Sequence, residues 1–222
     1  MSGLHASQSH GSTTLTTPDY SRSALSRLAG PLAFAAGTLM IVVELLILPI
    51  VDRANHEATS QNLVYRISGV VYFVAFCLLV LVAITAYLRQ AHKAGRLGVA
   101  GMIAAVVGTM FLGGDLWFET FYVTYLADVA PQVLDIAPSG LIVIGAVSSY
   151  LLFAIGWALF GIASLRAGVF PRVISVAIVI GGLLGFSALL PPFGIGLGLA
   201  MVWLGVWLIR NPAPTEAVST VS

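Results

Sequence analysis

Six long apolar stretches fill most of this sequence and constrain its fold more than any other feature. Each is close to or above the roughly 20 residues that cross about 30 Å of hydrocarbon as an α-helix. Their apolar character is continuous rather than alternating, which favours helices over the strands of a membrane barrel. The stretches are Gly30–Val51, Leu63–Leu88, Leu97–Tyr125, Leu141–Leu165, Val173–Leu190 and Phe193–Ile209. The sequence therefore predicts an all-α, six-helix transmembrane bundle.

Composition supports a membrane protein. Hydrophobic residues make up 59% of the chain and charged residues 9%, and the mean hydropathy of +0.99 lies outside the usual range of soluble domains. The net charge of +1 gives no reason to expect nucleic-acid binding. Residues 28–210 form the predicted membrane domain. Polar residues dominate 1–27 and 211–222, which we expect to be disordered tails.

The basic residues indicate an orientation for the bundle. Six spans place both tails on one side, together with eight of the ten Lys and Arg residues. Those eight are Arg22, Arg27, Arg89, Lys93, Arg96, Arg166, Arg172 and Arg210, and the other two are Arg53 and Arg66. By the positive-inside rule, both termini are expected in the cytoplasm. Arg outnumbers Lys nine to one, a bias of GC-rich bacterial genomes, so we expect a bacterial inner (plasma) membrane.

Small residues and prolines predict how the spans pack. Glycines such as Gly37, Gly108, Gly145 and Gly181 stand at helical spacing from other small residues, which marks faces where helix backbones approach closely. The pair Pro191-Pro192 breaks the helix between the last two stretches. A tight helical hairpin is expected there, and a re-entrant pair is the alternative.

Three carboxylates lie inside or at the rim of the predicted spans: Glu44, Asp115 and Glu119. Charged side chains are costly in hydrocarbon, so they usually face a protein interior or a water-filled cavity. Helical periodicity places each on a small-residue stripe and at similar depth in the outer half. Arg66 enters the second span from the same side, and we expect it to form a salt bridge with Asp115 or Glu119.

Aromatic residues at the same depth have two interpretations. Tyr65, Tyr72, Trp117 and Tyr122 fit an interfacial belt and could also form the wall of a pocket. The acidic cluster itself could be a structural ion-pair knot, an outward-facing pocket or ion pathway, or a catalytic site. The sequence predicts no cofactor and no metal site. His56-Glu57 begins like a zinc motif, but Ser60 stands where the second histidine is required.

Two segments carry a resemblance. The run Ala94–Pro131, with the later run Phe170–Ala200, resembles small multi-span bacterial membrane proteins to which no activity is assigned. The resemblance implies a shared membrane fold and gives Asp115, Trp117 and Glu119 no role.

These observations leave three functional hypotheses. The leading one is a non-enzymatic membrane component with an outward-facing polar or acidic pocket, transporter-like or sensor-like, that binds a small solute or cation. The second is a structural or regulatory subunit that packs through its glycine-rich faces against another membrane protein or a second copy of itself. The third is an intramembrane hydrolase in which Asp115 and Glu119 serve as acid and base.

Overall fold

A computed structural model of the chain describes residues 20–52, 55–134, 136–137, 139–187 and 191–212. All regular structure in these residues is helical, which confirms the all-α part of the predicted fold. The α-helices are α1 (Tyr20–Ile47), α2 (His56–Gln61), α3 (Leu63–Trp117), α4 (Thr124–Val129), α5 (Leu141–Ala167), α6 (Arg172–Leu184) and α7 (Gly194–Arg210). A π-helical turn, Phe118–Val123, joins α3 to α4, and short 3-10 turns follow at Pro131–Val133 and Gly185–Ser187.

Helix α3 is a hairpin rather than one rod. Gly95 has φ 55° and ψ −155°, a non-helical conformation that is almost exclusive to glycine. The chain folds back there, because Gly69 lies against Thr120 and Phe76 lies beside Gly113. We call residues 63–94 the first arm and residues 96–117 the second arm. The hairpin corresponds to the second and third predicted spans.

Three helical segments are long and apolar enough to cross a membrane: Leu25–Ile47, Leu63–Val129 and Leu141–Ala167. Two shorter apolar helices, Arg172–Ser187 and Gly194–Arg210, occupy the last two predicted spans. Helix α6 has 13 residues, or about 20 Å at 1.5 Å per residue, which is less than the hydrocarbon thickness.

The predicted tails fall largely outside the described residues. Helix α1 begins at Tyr20, inside the segment 1–27 that was predicted to be a disordered tail. The remainder of that segment, 1–19, and the end of the second predicted tail, 213–222, lie outside the part of the chain that the structure describes.

Helix backbones approach one another closely at several predicted glycines. A side chain at Gly37 of α1 would collide with the backbone of Gly198 in α7, and one at Gly108 would collide with the backbone of Leu152 in α5. Such contacts maximise van der Waals packing where burial from water provides no driving force. Gly145 is different, because a Cβ there would have no atom within 4 Å. That predicted packing position is therefore open to the surroundings.

The long helices form a closed ring. Helix α1 packs between α3 and α7, α5 packs between α3 and α6, and α6 completes the circuit by contacting α7. Aromatic side chains fill the centre: Phe76 stacks on Phe153 with ring centroids 5.4 Å apart. Buried Trp157 donates its indole N–H to the Thr109 hydroxyl at 3.0 Å. The ring fixes which helix ends meet at each end of the bundle.

The two ends differ in charge. At one end, α1 starts, the α3 hairpin turns and α7 finishes, and Arg89 donates to the Asn211 carbonyl at 2.6 Å. We call it the basic end; its charged residues are Arg27, Arg89, Lys93, Arg96, Arg166, Arg172 and Arg210. The acidic side chains of the described residues lie at or near the opposite end, which we call the acidic end. They are Glu44, Asp52, Glu57, Asp115, Glu119 and Asp128.

Candidate functional site

A cavity of about 280 Å³ lies at the acidic end between α1, the α3 hairpin and α5. Apolar side chains of α1, including Val43 and Ile47, form one wall. The polar lining is Asp52, Thr59, Tyr65, Arg66, Tyr72, Glu119, Thr120, Thr124 and Tyr150. A concave, largely apolar site with a few convergent polar groups is the usual form of a small-molecule pocket.

Glu44 lies behind the cavity wall and is completely buried. Its Oε1 accepts a hydrogen bond from the Tyr72 hydroxyl at 2.8 Å, and the backbone N–H of Gly194 also donates to the carboxylate. Helix α7 starts at Gly194 and has no side-chain cap. The first N–H groups of a helix lack intrahelical partners and carry partial positive charge. Glu44 therefore supplies the missing acceptor for α7.

The second oxygen of Glu44 is not satisfied in the same way. Its Oε2 is buried and has no hydrogen-bond partner among the described residues. Buried polar atoms without partners are rare in folded proteins and are usually satisfied by water, a proton or a ligand. Tyr72, which lines the cavity and bonds to Oε1, connects this carboxyl group to the open volume.

Arg66 forms its salt bridge at the acidic end with a different partner from the one predicted. Its guanidinium binds Asp128 with two hydrogen bonds, of 2.7 and 3.2 Å, and its Nε donates to the Ser60 carbonyl at 2.8 Å. The predicted salt bridge to Asp115 or Glu119 is therefore wrong. The reason is the alignment of the two arms of the hairpin. The second arm continues through the π-turn into α4, and α4 lies beside the start of α3.

The two carboxylates of the second arm differ in their position relative to the cavity. Glu119 stands in the π-turn and lines the cavity, whereas Asp115, one turn earlier, is half-buried and does not line it. Tyr150 of α5 lies near both. Turns of this kind interrupt the regular helical spacing and are frequent at functional sites.

The structure places the four predicted wall residues in two groups. Tyr65 and Tyr72 line the cavity. Trp117 and Tyr122 do not, because their side chains are 50% and 46% exposed on the outer surface of the bundle. That position agrees with the interfacial-belt interpretation of Trp and Tyr.

Asp52 and residues 55–62 lie at the cavity, with Asp52 and Thr59 in its lining, and sequence reasoning did not predict this segment, which we call the roof. The Asp52 N–H donates to the Thr59 hydroxyl at 3.0 Å, and Asn55 caps α2 by accepting from the Ala58 N–H at 2.9 Å. Gln61 reaches the Ala127 carbonyl at 3.4 Å. Hydrogen bonds therefore hold the roof together and connect it to α4.

Other site residues were missed for identifiable reasons. Tyr150 follows Ser148-Ser149, a run that suggests interhelical hydrogen bonding, and Thr124 lies between Val123 and Tyr125, so no motif marks either as a site residue. Asp128 could have been found by pairing the two arms as an antiparallel hairpin. Gly194 could have been found because it follows Pro191-Pro192, where a helix start and its unpaired N–H groups are expected.

The side chains that line the cavity are suited to binding a polar solute. Within the described residues, no three His, Cys, Asp or Glu side chains are grouped as metal ligands. The cavity offers tyrosine and threonine hydroxyls, carboxylates and a guanidinium, which donate and accept hydrogen bonds to a polar solute.

No protein-family model matches this sequence, and no curated protein or solved structure is significantly similar to it.

Proposed function

We propose that the chain is a six-span integral protein of a bacterial inner membrane. Its acidic end faces away from the cytoplasm and binds a small polar solute or cation, as part of a transporter-like or sensor-like system. The cavity at the acidic end is the observation that carries the proposal: it combines aromatic walls with a few convergent polar groups.

Several features support six spans and this orientation. The segment Leu63–Val129 reverses at Gly95, so its two arms count as two spans. Helices α6 and α7 are short, but they pack on each other where Gly181 meets the backbone of Leu197. Both described termini lie at the basic end, which the positive-inside rule assigns to the cytoplasm.

The alternatives have less support. A subunit that docks through glycine faces needs those faces to be free, yet Gly37, Gly108 and Gly181 are already used in helix contacts within the chain. A hydrolase needs Asp115 and Glu119 on one substrate-accessible surface, and Asp115 does not line the cavity. No observation favours either function over solute binding.

Ligand screening of the purified protein in lipid nanodiscs tests the proposal. A panel of small cations, amines, zwitterions and polyols is scored by calorimetry, and binding of a hit should be lost in Tyr150→Phe and in Glu119→Gln. Tyr122→Phe is the matched control, since Tyr122 is an exposed tyrosine outside the cavity lining. Binding that survives both cavity substitutions would overturn the proposal.

Glu44→Gln separates function from folding in the same assay. The amide keeps an oxygen for Tyr72 and the Gly194 N–H while removing the charge, so the unfolding temperature should stay close to that of the wild type. Solute binding, or any proton coupling of it, should be lost. Unchanged binding in this variant would restrict Glu44 to capping α7.

A further inference from the structure

A second cavity, of about 200 Å³, lies at the basic end between α1, α3 and α7. Two guanidinium groups, those of Arg27 and Arg89, line it. Gly30, Pro31, Leu208 and Ile209 form its apolar wall. The cavity is separate from the solute site, but the proposal below rests on the proposed membrane location and orientation.

In the part of the chain that the structure describes, no nearby carboxylates balance the positive charges of the two arginines. Within the described residues, no carboxylate lies within salt-bridge distance of Arg27 or Arg89, and the acidic side chains are gathered at the other end of the bundle. Arg89 is held by its bond to the Asn211 carbonyl at 2.6 Å, which uses one of its five N–H groups. The remaining donors are available to an anion, and a guanidinium fork fits phosphate oxygens well.

The surroundings point to a lipid rather than a free anion. Leu28 and Ile209, beside the cavity on α1 and α7, are 50% and 52% exposed. They extend an apolar surface away from the two arginines along the side of the bundle. Basic pockets between helices at the cytoplasmic face of a membrane are typical sites for anionic lipid headgroups.

We propose that this cavity binds the headgroup of an anionic phospholipid, with Arg27 and Arg89 contacting its phosphate oxygens. The acyl chains lie along the exposed apolar side chains of α1 and α7. Because the headgroup touches three helices, the lipid links the first arm of the α3 hairpin to α1 and α7.

Native mass spectrometry of the full chain tests this. Phosphatidylglycerol and phosphatidylcholine with identical acyl chains are compared for retention. Wild type should bind phosphatidylglycerol more tightly, and Arg27→Gln and Arg89→Gln should each weaken that binding about fivefold. Arg172→Gln, at the same end but outside the cavity lining, is the control and should bind as wild type does. Among the described residues Arg27 makes no hydrogen bond or ion pair that the substitution would remove, so its variant keeps the test valid if Arg89→Gln fails to fold.

Three outcomes would overturn the proposal. Equal weakening in Arg172→Gln would show diffuse attraction to the whole basic end. Competition by inorganic phosphate as effective as that of phosphatidylglycerol would show a free-anion site. Lipid binding that occurs only after removal of residues 213–222 would show that the chain's own terminus occupies the cavity.

Discussion

Glu44 is a buried carboxylate with defined hydrogen-bond partners in two other helices. It is an ionisable side chain with no exposed surface, held by a tyrosine hydroxyl at 2.8 Å and by the first N–H of α7. This contact needs a glycine at the start of α7, because any Cβ at Gly194 would overlap both the Glu44 carboxylate and the Tyr72 hydroxyl. Glu44, Tyr72 and Gly194 therefore act as one structural unit that anchors α7 to α1 and α3.

Gly194→Ala tests that unit. The added methyl group must displace the carboxylate or the hydroxyl, and overpacking of this kind costs about 1–3 kcal/mol. Gly145→Ala is the control, since a Cβ at Gly145 meets no atom within 4 Å. Equilibrium unfolding in mixed detergent should show a loss for Gly194→Ala alone. Equal stability of the two variants would contradict the close approach of Glu44 to α7.

Arg66 is the second residue with a testable role. Its side chain is 25% exposed and that of Asp128 is 58% exposed, so water screens the pair. Arg66→Ala should therefore change the unfolding temperature little, while amide exchange across residues 55–62 should rise because the bond to the Ser60 carbonyl is lost. Hydrogen–deuterium exchange measures this, with Arg172→Ala as the control. A large drop in unfolding temperature would instead indicate a buried ion-pair knot.

The helices show which features are readable from sequence. Continuous apolar runs predicted α1, both arms of α3 and α5, because helix formation in lipid depends on hydrophobic length and on internal backbone hydrogen bonding. The π-turn at Phe118–Val123 was not predictable, since no residue type marks it. The turn contains Glu119, which lines the cavity, so an irregular segment borders the candidate site.

The reversal at Gly95 gives a prediction about that hairpin. With φ 55° and ψ −155°, Gly95→Ala should destabilise the protein by about 1–3 kcal/mol. Gly168, which ends α5 at φ 62° and ψ 23°, has a left-handed conformation that non-glycine residues adopt more easily, so Gly168→Ala should cost less. Neither position has an atom within 4 Å of an added Cβ, so the comparison isolates backbone strain. Equilibrium unfolding of both variants gives the order, and the reverse order would contradict it.

The long helices form a closed ring, made of α1, α3, α5, α6 and α7. This arrangement determines where polar side chains can line a cavity. Aromatic side chains fill the centre, and two polar cavities lie at the ends: one where the acidic side chains gather and one between arginines. A third cavity, between the two arms of α3, is lined mostly by apolar side chains. The charge asymmetry was readable from sequence. The division of polar residues between lining and surface was not, because it depends on helix rotation within the ring. Trp117 and Glu119 are two positions apart in sequence, yet one faces outward and the other lines the cavity.

Single-cysteine labelling tests orientation and cavity access together. Cys77 is the only cysteine, so Cys77→Ala provides a clean background. In intact cells, a membrane-impermeant maleimide should label Thr124→Cys, which lines the cavity at the acidic end. Pro212→Cys, at the basic end, should react only after the membrane is permeabilised. Val147→Cys, on a side chain of α5 that is 50% exposed on the bundle surface, should stay unlabelled in lipid and react in denaturant. Labelling of Pro212→Cys in intact cells would reverse the proposed orientation. If neither Pro212→Cys nor Thr124→Cys reacts in intact cells, the roof keeps solutes out of the cavity.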